Sequence, residues 1–109
     1  MAFDPKLAER VRAELAGRAG ITEKKMFGGV AFFVAGNMAC GIYGRELIVR
    51  LDPAAAEAAL AEPSTRVFDV TGRSMKGWLL VQPKGLAAPE LLGRWVRRAV
   101  EFAASLPPK

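Results

Sequence analysis

The chain contains no histidine and a single cysteine, Cys40, so the commonest routes to side-chain chemistry are closed at the outset. Neither a Ser-His nor a Cys-His nucleophile pair can be assembled. A structural zinc site has neither the imidazoles nor the thiolates it needs. Catalysis would have to rest on carboxylates, lysines, Tyr43 or a bound cofactor. Asp52 and Asp69 make no convincing acid/base pair, because Asp52 precedes Pro53 where a helix N-cap is expected. Gly28-Gly29 precedes a strand but lacks the Walker lysine and the spacing of a dinucleotide loop, so it reads as a bulge or a close backbone approach. Cys40 falls mid-strand on an apolar face, where a thiol packs as a small hydrophobe. The expectation is a protein that is not an enzyme and carries no cofactor or metal.

What remains is charge. Sixteen Lys and Arg against eleven Asp and Glu give a net charge of +5. A basic balance suits nucleic acid or an acidic partner, although a charge of this size also simply keeps a small domain soluble. No dense basic run occurs, which favours the second reading. The residues placed to meet a polyanion or an acidic partner are Arg66, Arg73, Lys76 and Lys84, in or beside a glycine-bounded loop, with Arg94, Arg97 and Arg98 on the last helix. Glu90-Arg94 and Arg97-Glu101 are spaced i,i+4, so self-pairing on a solvated face explains those arginines equally well. Trp78 and Trp95 are expected in the core, since no aromatic-basic RNA-binding motif accompanies them.

The elements that carry these residues follow from local signals. Asp4-Pro5 and Asp52-Pro53 each open a helix, with Asp as N-cap and Pro at the first helical position. The first ends by Gly17 and Gly20, and the second stops before Pro63. A third runs from Pro89 to about Ser105, with Leu92, Trp95, Val96, Ala99, Phe102, Ala103 and Leu106 as its apolar stripe. Residues 26–51 read as a three-stranded antiparallel meander with turns at Gly36-Asn37 and Gly44-Arg45. Turns centred there pair Val34 with Ala39, Phe33 with Cys40, Ile42 with Leu47 and Cys40 with Val49. One face then holds Ala31, Phe33, Ala35, Met38, Cys40, Ile42, Leu47, Val49 and Leu51, and is assigned to the core.

The opposite face holds Val30, Phe32, Val34, Ala39, Gly41, Tyr43, Glu46, Ile48 and Arg50. A wetted antiparallel face should be polar, and this one is not. Val30, Phe32, Val34, Tyr43 and Ile48, rimmed by Glu46 and Arg50, are therefore the expected partner or dimer surface.

Residues 66–70 and 78–82 supply two further strands. The expected fold is α+β, a two-layer sandwich with a mainly antiparallel five-stranded sheet, in the order α-β-β-β-α-β-β-α. With 109 residues and half of them hydrophobic, the chain is read as one domain, 1–109. No basic-then-apolar leader opens it, no run reaches the ~20 apolar residues of a membrane span, and one unpaired cysteine suits a reducing compartment. A cytoplasmic protein without membrane contact is expected.

Met26-Phe27-Gly28-Gly29-Val30, Asn37-Met38-Ala39-Cys40-Gly41, Val49-Arg50-Leu51, Phe68 and Gly72-Arg73-Ser74-Met75-Lys76-Gly77-Trp78 together resemble the N-terminal domain of the TfoX/Sxy proteins. The similarity runs from the first helix to the last. Full-length members of that family regulate DNA-uptake competence together with a cyclic-AMP receptor transcription factor, and carry a second, C-terminal domain. The resemblance implies a stand-alone N-terminal domain of regulatory type, and brings no catalytic residues with it. The leading expectation is a non-enzymatic regulatory domain acting by protein contact, with a second copy or a regulatory protein as partner, since closed two-fold dimers dominate homo-oligomers. The alternatives are a nucleic-acid-binding accessory protein using the basic loops and last helix, and a small-ligand-binding protein or enzyme with a pocket under Gly28-Gly29 or beside Tyr43.

Overall fold

Aspartate and proline start two of the three α-helices found among the described residues. In the computed structural model, which describes residues 3–26, 28–69, 72 and 75–109, helix α1 spans Pro5–Leu15 and α2 spans Pro53–Ala59. The Asp4 carboxylate accepts from the Lys6 and Leu7 amides at 3.0 and 3.4 Å, and Asp52 does the same for Ala54 and Ala55 at 3.1 and 3.4 Å. Each carboxylate thereby satisfies donors that a helix N-terminus leaves without partners. Helix α3, Pro89–Ser105, has no side-chain cap and depends on its buried stripe Leu92, Trp95, Val96, Ala99, Val100 and Ala103. It is not long and apolar enough to cross a membrane, nor is any other described helix.

Among the described residues the sheet is antiparallel, with six strands in the order β1-β2-β3-β4-β6-β5. They are β1 Ile21–Met26, β2 Gly29–Val34, β3 Asn37–Tyr43, β4 Glu46–Arg50, β5 Thr65–Val67 and β6 Trp78–Val81. The α+β class expected from the sequence is the one observed, with one strand more than expected. That strand is β1, whose middle residues Thr22, Glu23, Lys24 and Lys25 are all exposed and so give no apolar alternation to read. Strand β5 is shorter than the expected 66–70, and Val70 lies outside the described residues. A 3₁₀ turn, Pro83–Leu86, leads into α3.

Helices α1 and α3 cover one face of the sheet. Leu7, Val11 and Leu15 of α1 and the α3 stripe pack against Val30, Phe32, Val34, Cys40, Ile42, Leu47, Val49, Leu79 and Val81. A smaller cluster of Ala31, Met38, Ile48, Phe68 and Leu80 lies on the other face, edged by Met26, Phe33, Tyr43 and Trp78.

This arrangement corrects the expected facing of β2. Val30, Phe32 and Val34, assigned to the outer surface, are 3, 2 and 9% exposed and belong to the helix-covered core. Ala31 and Phe33 point outward in their place. Met38 and Ala39 exchange sides in the same way. The β3–β4 register is the expected one, with Cys40 opposite Val49 and Ile42 opposite Leu47. The facing inverts at a bulge in β3, since moving a turn by one residue shifts the pairing by two and preserves the facing. The bulge is accompanied by a change at the preceding turn. Its two central residues are Ala35 and Gly36, with φ of 50° and 86°, rather than Gly36 and Asn37. Val34 therefore pairs with Asn37 and Phe33 with Met38, and a shift after Phe33 then pairs Phe32 with Cys40. Ala39 is the extra residue of this bulge, and both it and Cys40 face the helices. A net displacement of one residue reverses every side chain of β2.

The chain's own tail supplies the physical reason for that turn. The Lys109 amide donates to the Ala35 carbonyl at 2.8 Å, and the buried Asn37 side chain donates to the Pro107 carbonyl at 2.9 Å. A Cβ on Gly36 would stand 2.8 Å from Lys109 Cβ, so the glycine makes room for the tail while Asn37 is committed to holding it.

Candidate interaction surface

The face of the sheet turned away from α1 and α3 collects the most distinctive side chains. Strand alternation brings Phe33 from β2, Tyr43 from β3, Ile48 and Arg50 from β4 and Trp78 and Leu80 from β6 to that side. Phe68, fully buried just after β5, covers part of it, with its ring centroid 5.6 Å from that of Trp78. Ala31, Met38, Ile48, Phe68 and Leu80 are shielded, whereas Met26, Phe33, Tyr43 and Trp78 remain partly exposed around them.

Charge rings this apolar centre. The Arg50 guanidinium lies 5.3 Å from the Trp78 ring and 5.6 Å from the Phe102 ring, and Nη1 donates to the Met38 carbonyl at 3.4 Å. Such aromatic stacking holds the side chain in place while its charge stays near water. Lys24 Nζ sits 5.4 Å above the Phe33 ring. Glu46 takes Arg66 in a close pair, Nη2 to Oε1 at 2.7 Å, and Asp69 is 3.4 Å from Arg66 Nη1. The Glu46 hydrogen bond raises the Arg66 guanidinium pKa further above its ordinary value. An apolar centre with a charged rim is the usual build of a protein contact surface.

Of the residues expected on this surface, Tyr43, Glu46 and Arg50 lie on it. Ile48 is on the same face but fully buried, and Val30, Phe32 and Val34 are on the other side of the sheet. Phe33 was missed because the bulge at Ala39, which turns β2 over, carries no sequence signal. Trp78 was expected in the core, and Phe68 and Lys24 carry no periodic signal that would tie them to the meander.

The basic residues are distributed differently from expectation. Arg94 and Arg98 turn to Glu62, at 3.5 and 3.1 Å, instead of to their own helix, and Arg98 also stacks on Trp95 at 4.5 Å. Arg66 is paired as described. Arg97 and Lys84 are exposed. Lys76 borders an open groove of about 550 Å³ between α2 and the start of β6. Arg73 lies outside the described residues. Cys40 is fully buried, and desolvation pushes its thiol pKa up to about 12. A Cβ on Gly29 would collide with the Ile42 carbonyl, so at this position the strands require a glycine. Among the described residues no group of three or more Cys, Asp or Glu is placed to hold a metal ion.

No curated protein and no solved structure matches the chain significantly. The family model of the TfoX N-terminal domain matches residues 13–103, which takes in every strand, α2 and most of α3. The chain belongs to the TfoX N-terminal domain family.

Proposed function

We propose that this protein is a non-enzymatic regulatory domain of the competence-regulator type, which acts by protein contact through the sheet face bearing Phe33, Tyr43, Trp78 and Arg50. The observation that carries the reading is the partly exposed aromatic group on that face, surrounded by Lys24, Glu46 and Arg66. Apolar surface of this kind, rimmed by polar groups, marks docking sites. The simplest occupant is a second copy of the chain, through a two-fold contact of the same face. The nucleic-acid alternative draws less support, because Arg66, Arg94 and Arg98 already have carboxylate partners.

Sedimentation velocity over a concentration series tests the proposal. Wild type should associate reversibly and Phe33→Asp should sediment as a monomer with an unchanged circular dichroism spectrum. Wild type that stays monomeric at high micromolar concentration would count against self-association. Association unaffected by Phe33→Asp would count against this face.

A further inference from the structure

A second site lies at the opposite end of the charge inventory, where cations have no acidic partners. Helix α1 begins beside the β3–β4 turn, because the Asp4 amide donates to the Gly44 carbonyl at 2.8 Å. That bond sets Arg45, the next residue of the turn, near Lys6 and Arg10 of the helix. Together with Leu7, Pro83 and Leu86 these three line a pocket of about 260 Å³. Arg10 is fixed there by its Nη2 bond to the Leu86 carbonyl at 2.6 Å, leaving the rest of its fork for another acceptor.

The cations are what distinguish the pocket. Arg12, Arg66, Arg94 and Arg98 all reach carboxylates. Lys6, Arg10 and Arg45 form no ion pair among the described residues, although they converge on one cavity. The single carboxylate in the lining, Asp4, accepts from the Lys6 and Leu7 amides as the helix cap. Three cations against one carboxylate suit a doubly charged anion. The volume lies below the ~300–1,000 Å³ of a site for drug-sized ligands, which favours a compact molecule.

We propose that this pocket binds a small phosphomonoester, with Arg10 and Arg45 gripping the terminal phosphate through paired N–H donors and Lys6 adding a point charge. Leu7, Pro83 and Leu86 would face the short carbon skeleton. Nucleic acid fits less well, since its diester phosphates carry one charge each and are spread along a strand, whereas these cations converge on one small pocket.

The test is an amide NMR titration of the full chain with glycerol 3-phosphate, inorganic phosphate and a short DNA duplex, against sodium chloride at matched ionic strength. Glycerol 3-phosphate should give saturable shifts at Lys6, Leu7, Gly44 and Arg45. Arg45→Gln and Lys6→Gln should each weaken binding by about tenfold, the worth of one charged hydrogen bond, while Lys25→Gln, on the exposed strand β1, leaves it unchanged. Shifts reproduced by chloride, or indifferent to Arg45→Gln and Lys6→Gln together, would overturn the site. Saturation by inorganic phosphate without binding of the ester would overturn the ligand class, as would tighter binding of duplex DNA at the same amides.

Discussion

Adjacent phenylalanines on β2 give the sharpest check on the bulge, because the two possible registers assign them opposite fates. Phe32 is 2% exposed among the residues under α1 and α3, whereas Phe33 is only partly buried on the outer face. Truncating a fully buried phenylalanine to alanine costs about 3–5 kcal/mol, the lost transfer energy plus the cavity left behind. Phe33→Ala opens no enclosed cavity and should cost only about 1–2 kcal/mol. A domain of this size is stable by about 5–15 kcal/mol, so Phe32→Ala removes a large share of it. At roughly 4–5 °C per kcal/mol for a chain near one hundred residues, its melting temperature should fall by ~15–20 °C, and that of Phe33→Ala by less than half as much. Urea and thermal unfolding followed by tryptophan fluorescence measure the free energies and melting temperatures of both variants, at protein concentrations low enough that self-association does not stabilise either. An equal loss in the two variants, or a larger one for Phe33→Ala, would refute the placement of Ala39 as the extra residue and restore the register expected from the sequence.

Two further outcomes follow from the electrostatics. Arg12 holds the Glu23 carboxylate below the usual glutamate range through bonds of 2.9 and 2.7 Å. Because the folded value lies below the unfolded one, the stabilisation is complete above the unfolded pKa and disappears as pH falls through the folded pKa. Both side chains are substantially exposed, at 46 and 37%, so the pair is worth ~0.2–1 kcal/mol and is screened by salt. The stability difference between wild type and Glu23→Gln should therefore shrink in acid and in high salt, and a difference that stays constant below pH ~3 would contradict the pairing. Cys40, with a thiol pKa of about 12 and no exposure, should resist alkylation at neutral pH in the native protein and react fully in denaturant; rapid native labelling would show that the β3 core opens.

Much of the fold could be read before the structure, wherever local chemistry and burial agree. Asp4-Pro5 and Asp52-Pro53 announce α1 and α2, and the two caps form as expected. The β3–β4 pairing follows from Gly44-Arg45 and an unbroken alternation. Strand β2 was misread because nothing local marks Ala39 as a bulge residue. The turn was misplaced as well, since Gly36-Asn37 is a good local hairpin signal and the competing demand on Asn37 comes from Pro107, seventy residues away. Tertiary context decided a question that turn chemistry alone had answered the other way. The candidate surface was legible to the same extent. Tyr43, Glu46 and Arg50 come from strands whose register was right, while Phe33 depends on the bulge and Arg66 on a neighbour, Glu46, that only the strand order β4-β6-β5 brings within reach.

Strand β1 closes one side of the sheet, and its solvated run Thr22-Glu23-Lys24-Lys25 governs how copies of this protein can meet. Among the described residues its outer backbone groups have no partner strand, a condition that in a flat apolar strand invites lateral polymerisation. A neighbour laid alongside would have to settle within about 4.8 Å of a row of hydrated polar groups, two of them adjacent ammoniums. Lateral growth along this edge of the sheet is thereby discouraged.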